Sequence, residues 1–476
     1  MSYTETLSRF IVNCRFEDFP APVLDTVRKC VLDWIGVTVG AVGDPGVLLL
    51  KKTIEEMGGR PQASVVGYGT RTTMAGAALM NGAMAHALDY DDAHSGVRTH
   101  PSAPLAAAIF PVAESLGISG RDFMTAFAAG CEAMLRVGYA LGKAYYERGW
   151  HSTSILGRLG SAAGVSRLLG LDAQKTSVAL GLAATQAGGL RDTFGTMAKP
   201  FHSGKAAMDG LLAAVLAKKG FTAPLNILDP DAGFARVFSN EYEAERIVAG
   251  LGKDFCTTEI NFKPYAACLL VHPVIDALIA LRQRSELDPN SVREILASVA
   301  PLNVQTAGNP APKDGSQAKF SLHMAAAVAL IHGRATERFF TDQMANDAQI
   351  KATMAKVRLF ADGALSETEA FVKVLLEGGR EDSVHVAAPK GDPRNPMTFE
   401  EVAEKARDLA SEILNGGALD RIVNLVKDLE KLNDVSELVR LCCTGKQQVG
   451  KISRKKWRVR KNRDAAAKEA GPEEER

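Results

Sequence analysis

The chain lacks the sequence features of several large protein classes. Its formal net charge is +1, so no overall field favours nucleic acid or a membrane surface. Its seven cysteines include no C-x-x-C spacing, which predicts reduced thiols in a cytoplasmic compartment. The N-terminal segment has no apolar core of a secretory signal, and no apolar run reaches the roughly 18 residues that cross a bilayer. We therefore expect a soluble, cytoplasmic protein with no membrane partner.

Three common catalytic frameworks are also missing. There is no P-loop, no G-x-G-x-x-G after a strand-like segment and no G-x-S-x-G around a serine. No lysine lies in a recognisable pyridoxal or flavin setting. An enzyme built on this chain is therefore predicted to work without a cofactor.

The chain contains enough hydrophobic residues to form a large core. Hydrophobic residues make up 46% of the 476 residues, which predicts two or three domains. Apolar residues with helical spacing predict a mainly α fold with a large all-helical domain over 1–265, and a change of pattern predicts a smaller α+β domain over 266–397. Residues 398–445 are predicted to be helices that return to the helical domain, and 446–476 a charged, disordered tail.

Local signals position several of these elements. Ser119, Asp172 and Ser203 each precede a helical pattern and are predicted to be N-caps. After residue 265 the pattern changes, and short runs rich in β-formers predict strands at 292–301, 357–362 and 381–392.

The tail is basic over residues 446–464 and acidic at its end. A basic run with one tryptophan can bind nucleic acid or an anionic surface. The alternative is a solvated segment, because nothing beside it forms a nucleic-acid-binding module. We favour the solvated segment and expect no nucleic-acid partner.

Residues 81–104, NGAMAHALDYDDAHSGVRTHPSAP, form the most informative segment of the chain. The titratable side chains in it are His86, Asp89, Asp91, Asp92, His94 and His100. These groups could bind a metal ion, but their spacing matches no closed zinc or calcium loop. They could also form a polar loop capped by aspartates. We favour a third interpretation, in which a carboxylate orients an imidazole that moves a proton, and we predict no metal.

Two further segments combine basic groups with predicted helix starts. Hydroxyl residues follow His151, and a helix N-terminus there would attract a carboxylate and favour a neutral imidazole. Lys199, His202 and Lys205 lie at the start of another predicted helix, where cations are unfavourable. An anionic ligand would explain these groups, whereas solvent exposure is an equally good explanation for Lys205.

A fourth segment, NFKPYAACLLVHP, lies at the proposed domain junction. Clefts at such junctions are favoured ligand sites, so Lys263 and Cys268 are candidates for the site. Cys268 is either an acid–base thiol or a small buried apolar residue.

Together these segments resemble the MmgE/PrpD family. The resemblance is carried by five ordered strings: AHALDYDDAH…THPSAPL, GWHSTSILG…GSAAG, FGTMAKPFHSGKAA, KPYAACLLVH and AKFSLHMAAAVAL. It implies a large helical domain, a smaller α+β lid, a homodimer and an active site between the two domains. The activities it implies are dehydration of 2-methylcitrate, decarboxylation of cis-aconitate and epimerisation of iminodisuccinate.

The resemblance also assigns residues. The active-site positions of its decarboxylase branch fall on Asp89, His100, His151, Lys199 and Lys263. This chain departs from that branch at three positions. Ala93 replaces a threonine, Cys268 replaces a histidine, and Met324, next to His323, replaces a tyrosine.

These observations lead to a functional hypothesis. The protein is predicted to be a lyase or isomerase that abstracts a proton next to a carboxylate of a small di- or tricarboxylate. His100 or His151 is the expected acid–base group, and Asp89 is expected to orient it.

The other site residues receive roles in binding and proton donation. Lys199 and Lys263 are expected to bind substrate carboxylates with help from His202, and Cys268 to donate a proton or to line the pocket. The alternatives are a cis-aconitate-type decarboxylase, a metal-dependent hydrolase and a non-enzymatic helical scaffold.

Overall fold

The protein is mainly helical. The computed structural model describes residues 1–284 and 287–443. Helices account for 59% of it, and the strands form small sheets. The predicted fold class, mainly α with a smaller α+β part, is therefore confirmed.

The first part of the chain is helical apart from one short hairpin. Its helices are α1 (Tyr3–Asn13), α2 (Ala21–Gly40), α3 (Pro45–Met57), α4 (Met74–Ala87), α5 (Ser102–Leu116), α6 (Gly120–Leu141), α7 (Ala144–Glu147), α8 (Ser152–Leu168), α9 (Ala173–Thr185), α10 (Ala198–Lys218), α11 (Gly233–Phe238) and α12 (Glu245–Val248). The hairpin pairs β1 (Ala63–Val65) with β2 (Thr70–Thr72). Helices α5, α6 and α8 are buried on almost every face, so they form the centre of this part.

Two of the three predicted N-caps are confirmed. The Ser119 hydroxyl accepts a hydrogen bond from the third amide of α6, and the Asp172 carboxylate accepts one from the third amide of α9. Each side chain satisfies an amide that the helix itself leaves unpaired.

The third predicted cap is wrong. Helix α10 begins at Ala198, and Ser203 is buried inside it. Pro200 is the third residue of the helix, where a proline costs nothing because that amide needs no helical partner. The helix therefore starts earlier than predicted, and Lys199 lies in its first turn.

Helices α4 and α10 approach so closely that their contact requires glycine. A Cβ atom on Gly82 would lie 2.8 Å from the Cα of Gly204, and one on Gly204 would lie 2.1 Å from the carbonyl oxygen of Leu79. Because neither glycine has a side chain, the two backbones touch. This contact brings the end of α4, which carries His86, towards the start of α10, which carries Lys199.

The second part of the chain contains a four-stranded sheet. Its helices are α13 (His272–Arg284), α14 (Pro301–Ala307), α15 (Gly315–Ala318), α16 (Leu322–His332), α17 (Asp342–Ala345) and α18 (Ala348–Met354). Its strands are β3 (Val292–Val299), β4 (Val357–Ala361), β5 (Ala370–Leu376) and β6 (Glu381–Val386), in the order β4-β3-β5-β6. Strands β3 and β4 are parallel, and the other pairs are antiparallel.

The three predicted strands of this sheet are confirmed, but β5 was not predicted. Its buried residues alternate with more exposed ones, and the buried face consists of Ala370, Val372, Val374 and Leu376. This period of two is the usual sequence signal of a half-buried strand, so the sequence did contain the evidence for it.

Apolar side chains form two core clusters. One joins the first helical part to the C-terminal helices α19 (Phe399–Ala410), α20 (Gly416–Lys427) and α21 (Ser436–Leu441). The other is built mainly from residues between 266 and 376, and it also includes Val37, Tyr90 and Leu409. The clusters therefore meet near Tyr90. The predicted domain bounds remain predictions, and the tail over 446–476 lies outside the described residues.

Within residues 1–284 and 287–443, no single helix is both long and apolar enough to span a membrane. Helices α2 and α3 reach the required length and composition only as a pair bent by 86°.

Candidate active site

The loop between α4 and α5 holds three buried carboxylates, and each has different partners. The loop begins with Asp89, whose φ of 53° is a left-handed conformation that is uncommon for a residue other than glycine. Asp91 and Asp92 follow two and three residues later. Buried carboxylates require hydrogen bonds or charged partners, so these partners define what each residue can do.

Asp89 lies between two lysines. Its Oδ1 atom is 2.5 Å from Lys199 Nζ and 3.3 Å from Lys263 Nζ, and Lys263 also donates to the Asp89 carbonyl oxygen at 2.8 Å. Burial raises the pKa of Asp89, but the two ammonium groups outweigh burial and hold the pKa well below its usual range. This group therefore consists of two cations and one anion, and it retains an excess of positive charge.

Asp91 lies between two imidazoles. Its Oδ2 atom is 2.8 Å from His86 Nδ1 and 3.2 Å from His100 Nδ1. Burial lowers the pKa of His86 to about 3, so this ring is neutral and donates its Nδ1 proton to Asp91. Burial raises the pKa of Asp91, but His100 and His86 outweigh it and hold that pKa well below its usual range.

These contacts correct one prediction. Asp89 was expected to orient the acid–base histidine, but the carboxylate within ion-pair distance of His100 is that of Asp91. The left-handed backbone at Asp89 and its two lysine partners direct its carboxylate elsewhere. Of these two carboxylates, it is therefore Asp91 that contacts His100.

Asp92 connects the loop to the protein core. Its carboxylate accepts hydrogen bonds from both the amide and the hydroxyl of Ser102, at the start of α5. The Asp92 amide donates to Asp33 at 3.1 Å, and Lys405 donates both to Asp33 and to the Tyr90 carbonyl oxygen, each at 2.6 Å. Burial, together with the charge of Asp33, raises the pKa of Asp92 to about 7. Asp92 is thus a structural residue.

A cavity opens beside this loop and encloses about 740 Å³, including its mouth. Both parts of the chain contribute to its wall. The predicted site residues on that wall are Asp89, His100, His151, Lys199, Lys263 and Cys268. The structure therefore brings together residues that lie as much as 179 positions apart in the sequence, from Asp89 to Cys268.

Two long helices, α8 and α10, begin at this cavity, and α5 begins close to it with its first amide already bound to Asp92. His100 precedes α5 by two residues, His151 is the N-cap of α8, and Lys199 is the second residue of α10. Helix N-termini carry partial positive charge and unpaired amides, and they attract anions. The cation of Lys199 adds to that positive charge, so the electrostatics of the cavity favour an anionic ligand.

His151 and His202 form a pair of imidazoles. Their Nδ1 atoms are 3.1 Å apart, so one of them carries the shared proton. Burial lowers the pKa of His151 well below its usual value, and the neighbouring His86 and Lys199 act in the same direction. Burial, with Arg158, also lowers the pKa of His202. Among the described residues His202 is not part of the cavity wall, so it contacts His151 rather than the cavity.

Lys205 points away from this site. Its ammonium group pairs with Asp209, which also accepts a hydrogen bond from Arg158 Nε at 2.8 Å. The pair spans one turn of α10. Lys205 is therefore a structural cation.

Cys268 is a half-buried thiol on the cavity wall. Burial raises its pKa, and the negative charge of Asp89 adds to the shift. The thiol is consequently protonated at neutral pH, which allows it to donate a proton but not to act as a base.

The sequence analysis did not identify several wall residues. The ring centres of Phe194 and Phe320 each lie 5.4 Å from Lys199 Nζ. Both residues belong to sequence segments that carry the family resemblance. Arg98 lies in the 81–104 segment, but it carries no signal beyond its charge. Glu367 comes from the loop between β4 and β5, which had no recognisable motif. Its proximity to the site is a consequence of the tertiary fold.

One set of side chains has the spacing of a metal site. Donor atoms of His86, Asp89, Asp91 and His100 all lie within 4.8 Å of one another. Their hydrogen bonds oppose that use, because Asp89 pairs with two ammonium groups and Asp91 with two imidazoles. A divalent cation would be repelled by the two lysines. The arrangement suits proton transfer and anion binding better than metal binding.

The relatives of this chain are similar over most of its length. A cis-aconitate decarboxylase-like protein, oryM, of Aspergillus oryzae is 31% identical over 469 residues, which cover 92% of this chain and 96% of the relative. A cis-aconitate decarboxylase of Aspergillus terreus is 29% identical and covers 92% of this chain and 95% of the relative. The cis-aconitate decarboxylase of Homo sapiens is 30% identical over 381 residues, or 77% of this chain and 78% of the relative.

Two family models match the chain in succession. The MmgE/PrpD N-terminal domain matches residues 5–247, and the MmgE/PrpD C-terminal domain matches residues 265–431. The first range contains the helix starts of the site, and the second contains Cys268 and Glu367. The chain therefore belongs to the MmgE/PrpD family, as its motifs predict.

Proposed function

We propose that the protein is a lyase or isomerase that forms a carbanion-like centre next to a carboxylate of a small di- or tricarboxylate. The observation that carries this proposal is the convergence of the N-termini of α8 and α10 and of two buried lysines on a cavity that also contains a neutral imidazole. Negative charge that develops beside a carboxylate needs such preorganised positive groups. The relatives, whose names describe decarboxylases, support the lyase class.

Lys199 and Lys263 bind the carboxylate next to the reacting carbon. Their ammonium groups already meet at Asp89 Oδ1, so their positions are preset before substrate binds. When electrons move from the breaking bond onto the substrate carboxylate, these cations stabilise the additional charge. Because the groups need no reorganisation, the stabilisation is largest in the transition state.

His151 is the proposed base. For its Nε2 atom to accept a proton, its Nδ1 atom must carry the other proton and donate it to His202. His202 is thus a positioning residue in this proposal, instead of the substrate-binding residue that the sequence suggested. Cys268 is a protonated thiol that can return a proton to the carbon, and His100, next to Asp91, is a second acid–base group.

Decarboxylation of cis-aconitate is the second candidate, because relatives with that name match more than nine tenths of this chain. In it, the C–CO2 bond breaks and the carbanion takes up a proton. Ala93 and Cys268 both line the cavity, and the resemblance to the family implies threonine and histidine at these positions in its decarboxylase branch. These two differences lead us to prefer dehydration or epimerisation as the first candidate.

A substrate panel in D2O tests the proposal. The protein is incubated with 2-methylcitrate, cis-aconitate and iminodisuccinate, and each reaction is followed by NMR. Loss of water, loss of CO2 and inversion give different products, and deuterium at one carbon identifies the site of proton transfer. We expect turnover of one of these substrates, and the Lys199→Met variant should convert it about 10²–10³-fold more slowly. No reaction with any of them, or equal reaction in the variant, would contradict the proposal.

The pH profile tests the base. An imidazole with an ordinary pKa of 6.5 would lose half of its base form at that pH. Burial lowers the pKa of His151, so the neutral form persists to lower pH. We expect the acidic limb of kcat/KM to lie well below pH 6.5, as measured where circular dichroism confirms that the protein stays folded. A limb at pH 6.5 or above would exclude His151 as the base.

A further inference from the structure

Arg98 and Glu367 form an ion pair on the cavity wall that the proposed mechanism does not use. Arg98 Nη2 is 2.5 Å from Glu367 Oε1. Arg98 belongs to the range matched by the N-terminal family domain and Glu367 to the range matched by the C-terminal one. The pair therefore bridges the two parts of the chain at the place where a ligand would bind.

The backbone holds Arg98 firmly. Its φ of 50° is left-handed, which is uncommon for a residue with a side chain. Reciprocal backbone hydrogen bonds between His94 and Thr99 close the tight loop that contains it. The guanidinium carbon lies 5.0 Å from the centre of the Tyr146 ring, which provides a cation–π contact. The arginine is thus fixed at one position of the cavity wall.

The guanidinium group has a hydrogen-bonding capacity that the described residues leave unused. Its Nη1 atom is buried and forms no hydrogen bond, and Glu147 is 3.9 Å from that atom. An arginine can hold a carboxylate with two parallel hydrogen bonds. A buried charged donor without an acceptor is unfavourable, so an acceptor from a ligand would stabilise it.

Glu367 is fixed by its backbone but not by its side chain. Its carbonyl oxygen accepts a hydrogen bond from Asn303 Nδ2 at 2.9 Å, and Asn303 is fully buried. The side chain of Glu367 is 28% exposed, compared with 13% for Arg98. The glutamate carboxylate can therefore turn towards solvent without moving the backbone, whereas the arginine stays in place.

We propose that Arg98 binds a second carboxylate of the substrate, which replaces Glu367 as the partner of the guanidinium group. This inference rests on the proposed function and names the residue that binds the second carboxylate of its substrate. The substrate carries one carboxylate that binds Lys199 and Lys263 and another, separate carboxylate that binds Arg98. Glu367 is the counter-ion of Arg98 before binding and competes with that second carboxylate. Ligands with a single carboxylate cannot use both positions.

Calorimetric titration with unreactive carboxylates tests the inference. Succinate and tricarballylate offer two and three carboxylates, and butyrate offers one at similar size. We expect Arg98→Met to weaken succinate binding about tenfold to 100-fold, as for a lost hydrogen-bonded charge pair, and to leave butyrate binding unchanged. We expect Glu367→Gln to tighten succinate binding, because the competing charge is gone. Thermal melting of each variant checks that it is folded.

Glu147→Gln is the matched control. It removes the same charge, also near Arg98, from a side chain that is 62% exposed, and succinate affinity should stay within about twofold of the wild type. Unchanged succinate affinity in Arg98→Met, an equal loss for butyrate, or an equal gain in Glu147→Gln and Glu367→Gln would each overturn the inference.

The same titrations test the proposed function separately from the inference about Arg98. If Lys199→Met loses succinate binding while Arg98→Met retains it, the inference fails and the proposed function stands. If the wild-type protein binds neither succinate nor tricarballylate, the proposed function fails as well.

Discussion

Replacement of Lys199 by methionine is expected to lower kcat/KM by about 10²–10³-fold, the usual effect of removing one preorganised group that stabilises developing negative charge. The ammonium group lies on the cavity wall, 2.5 Å from Asp89 and within 5.4 Å of the Phe194 and Phe320 ring centres. Methionine fills the same space between these rings without the charge. Steady-state kinetics on whichever carboxylate the protein converts would measure the loss.

The matched control for this change is Lys205→Met. Lys205 lies on the same helix but pairs with Asp209, and Arg158 remains as a partner of Asp209 after the replacement. We expect the activity of this variant to stay within about threefold of the wild type, as for a substitution outside the site. His151→Ala should also lose activity, by about 10²–10⁴-fold, if this histidine is the base. Full activity in both Lys199→Met and His151→Ala would refute our assignment of the site.

The largest expected effect on stability comes from Lys405, which lies far from the site in the sequence. Lys405→Met should lower the free energy of unfolding by about 3–5 kcal/mol, because it leaves the buried Asp33 carboxylate without its cation. The lysine also donates to the Tyr90 carbonyl oxygen, which would lose its partner. Urea unfolding at pH 7, followed by circular dichroism, would measure the change.

Two measurements test whether the unpaired Asp33 carboxylate causes this loss of stability: the pH dependence of unfolding and a double variant. Burial already raises the pKa of Asp33, and removal of Lys405 should raise it further. A carboxyl group whose pKa is raised by folding binds more protons in the folded state, so the stability of the variant should recover as the pH falls. Asp33→Asn combined with Lys405→Met should restore part of the loss at pH 7. A loss that is independent of pH and of Asp33 would show that the ion pair is not the cause.

An exposed ion pair provides the comparison for this variant. Lys431 and Asp428 are 2.8 Å apart, with side chains that are 69% and 57% exposed. Lys431→Met should leave the urea midpoint of unfolding close to that of the wild type, because water screens the pair. Comparison of the two variants therefore separates the effect of burial on stability from the effect of the ion pair itself.

Much of the fold follows from local sequence signals. Ser119 and Asp172 cap their helices as predicted, because an N-cap is decided by a side chain and an amide three residues later. Ser203 shows the limit of such signals. Its position looked like a cap, but the helix had already begun at Ala198, and packing against α4 buries the serine. A local pattern cannot reveal a contact with a distant helix.

The site also contains residues that the sequence could identify and residues that it could not. The sequence identified Asp89, His100, His151, Lys199, Lys263 and Cys268, and all of them line one cavity. It did not identify the pair formed by Arg98 and Glu367, which are 269 residues apart. It also could not distinguish Asp89 from Asp91, because two aspartates two residues apart have the same chemistry until their partners are known.

The sequence by itself therefore determined the types of element, the family and the set of groups available for chemistry, since these depend on residue identity and short-range spacing. Only the tertiary structure decided which group serves which purpose. The left-handed backbone at Asp89 directs one carboxylate to lysines that lie 110 and 174 residues away, while Asp91 faces two imidazoles. Ion pairing and proton transfer act over a few ångströms, and the folded chain alone sets those distances.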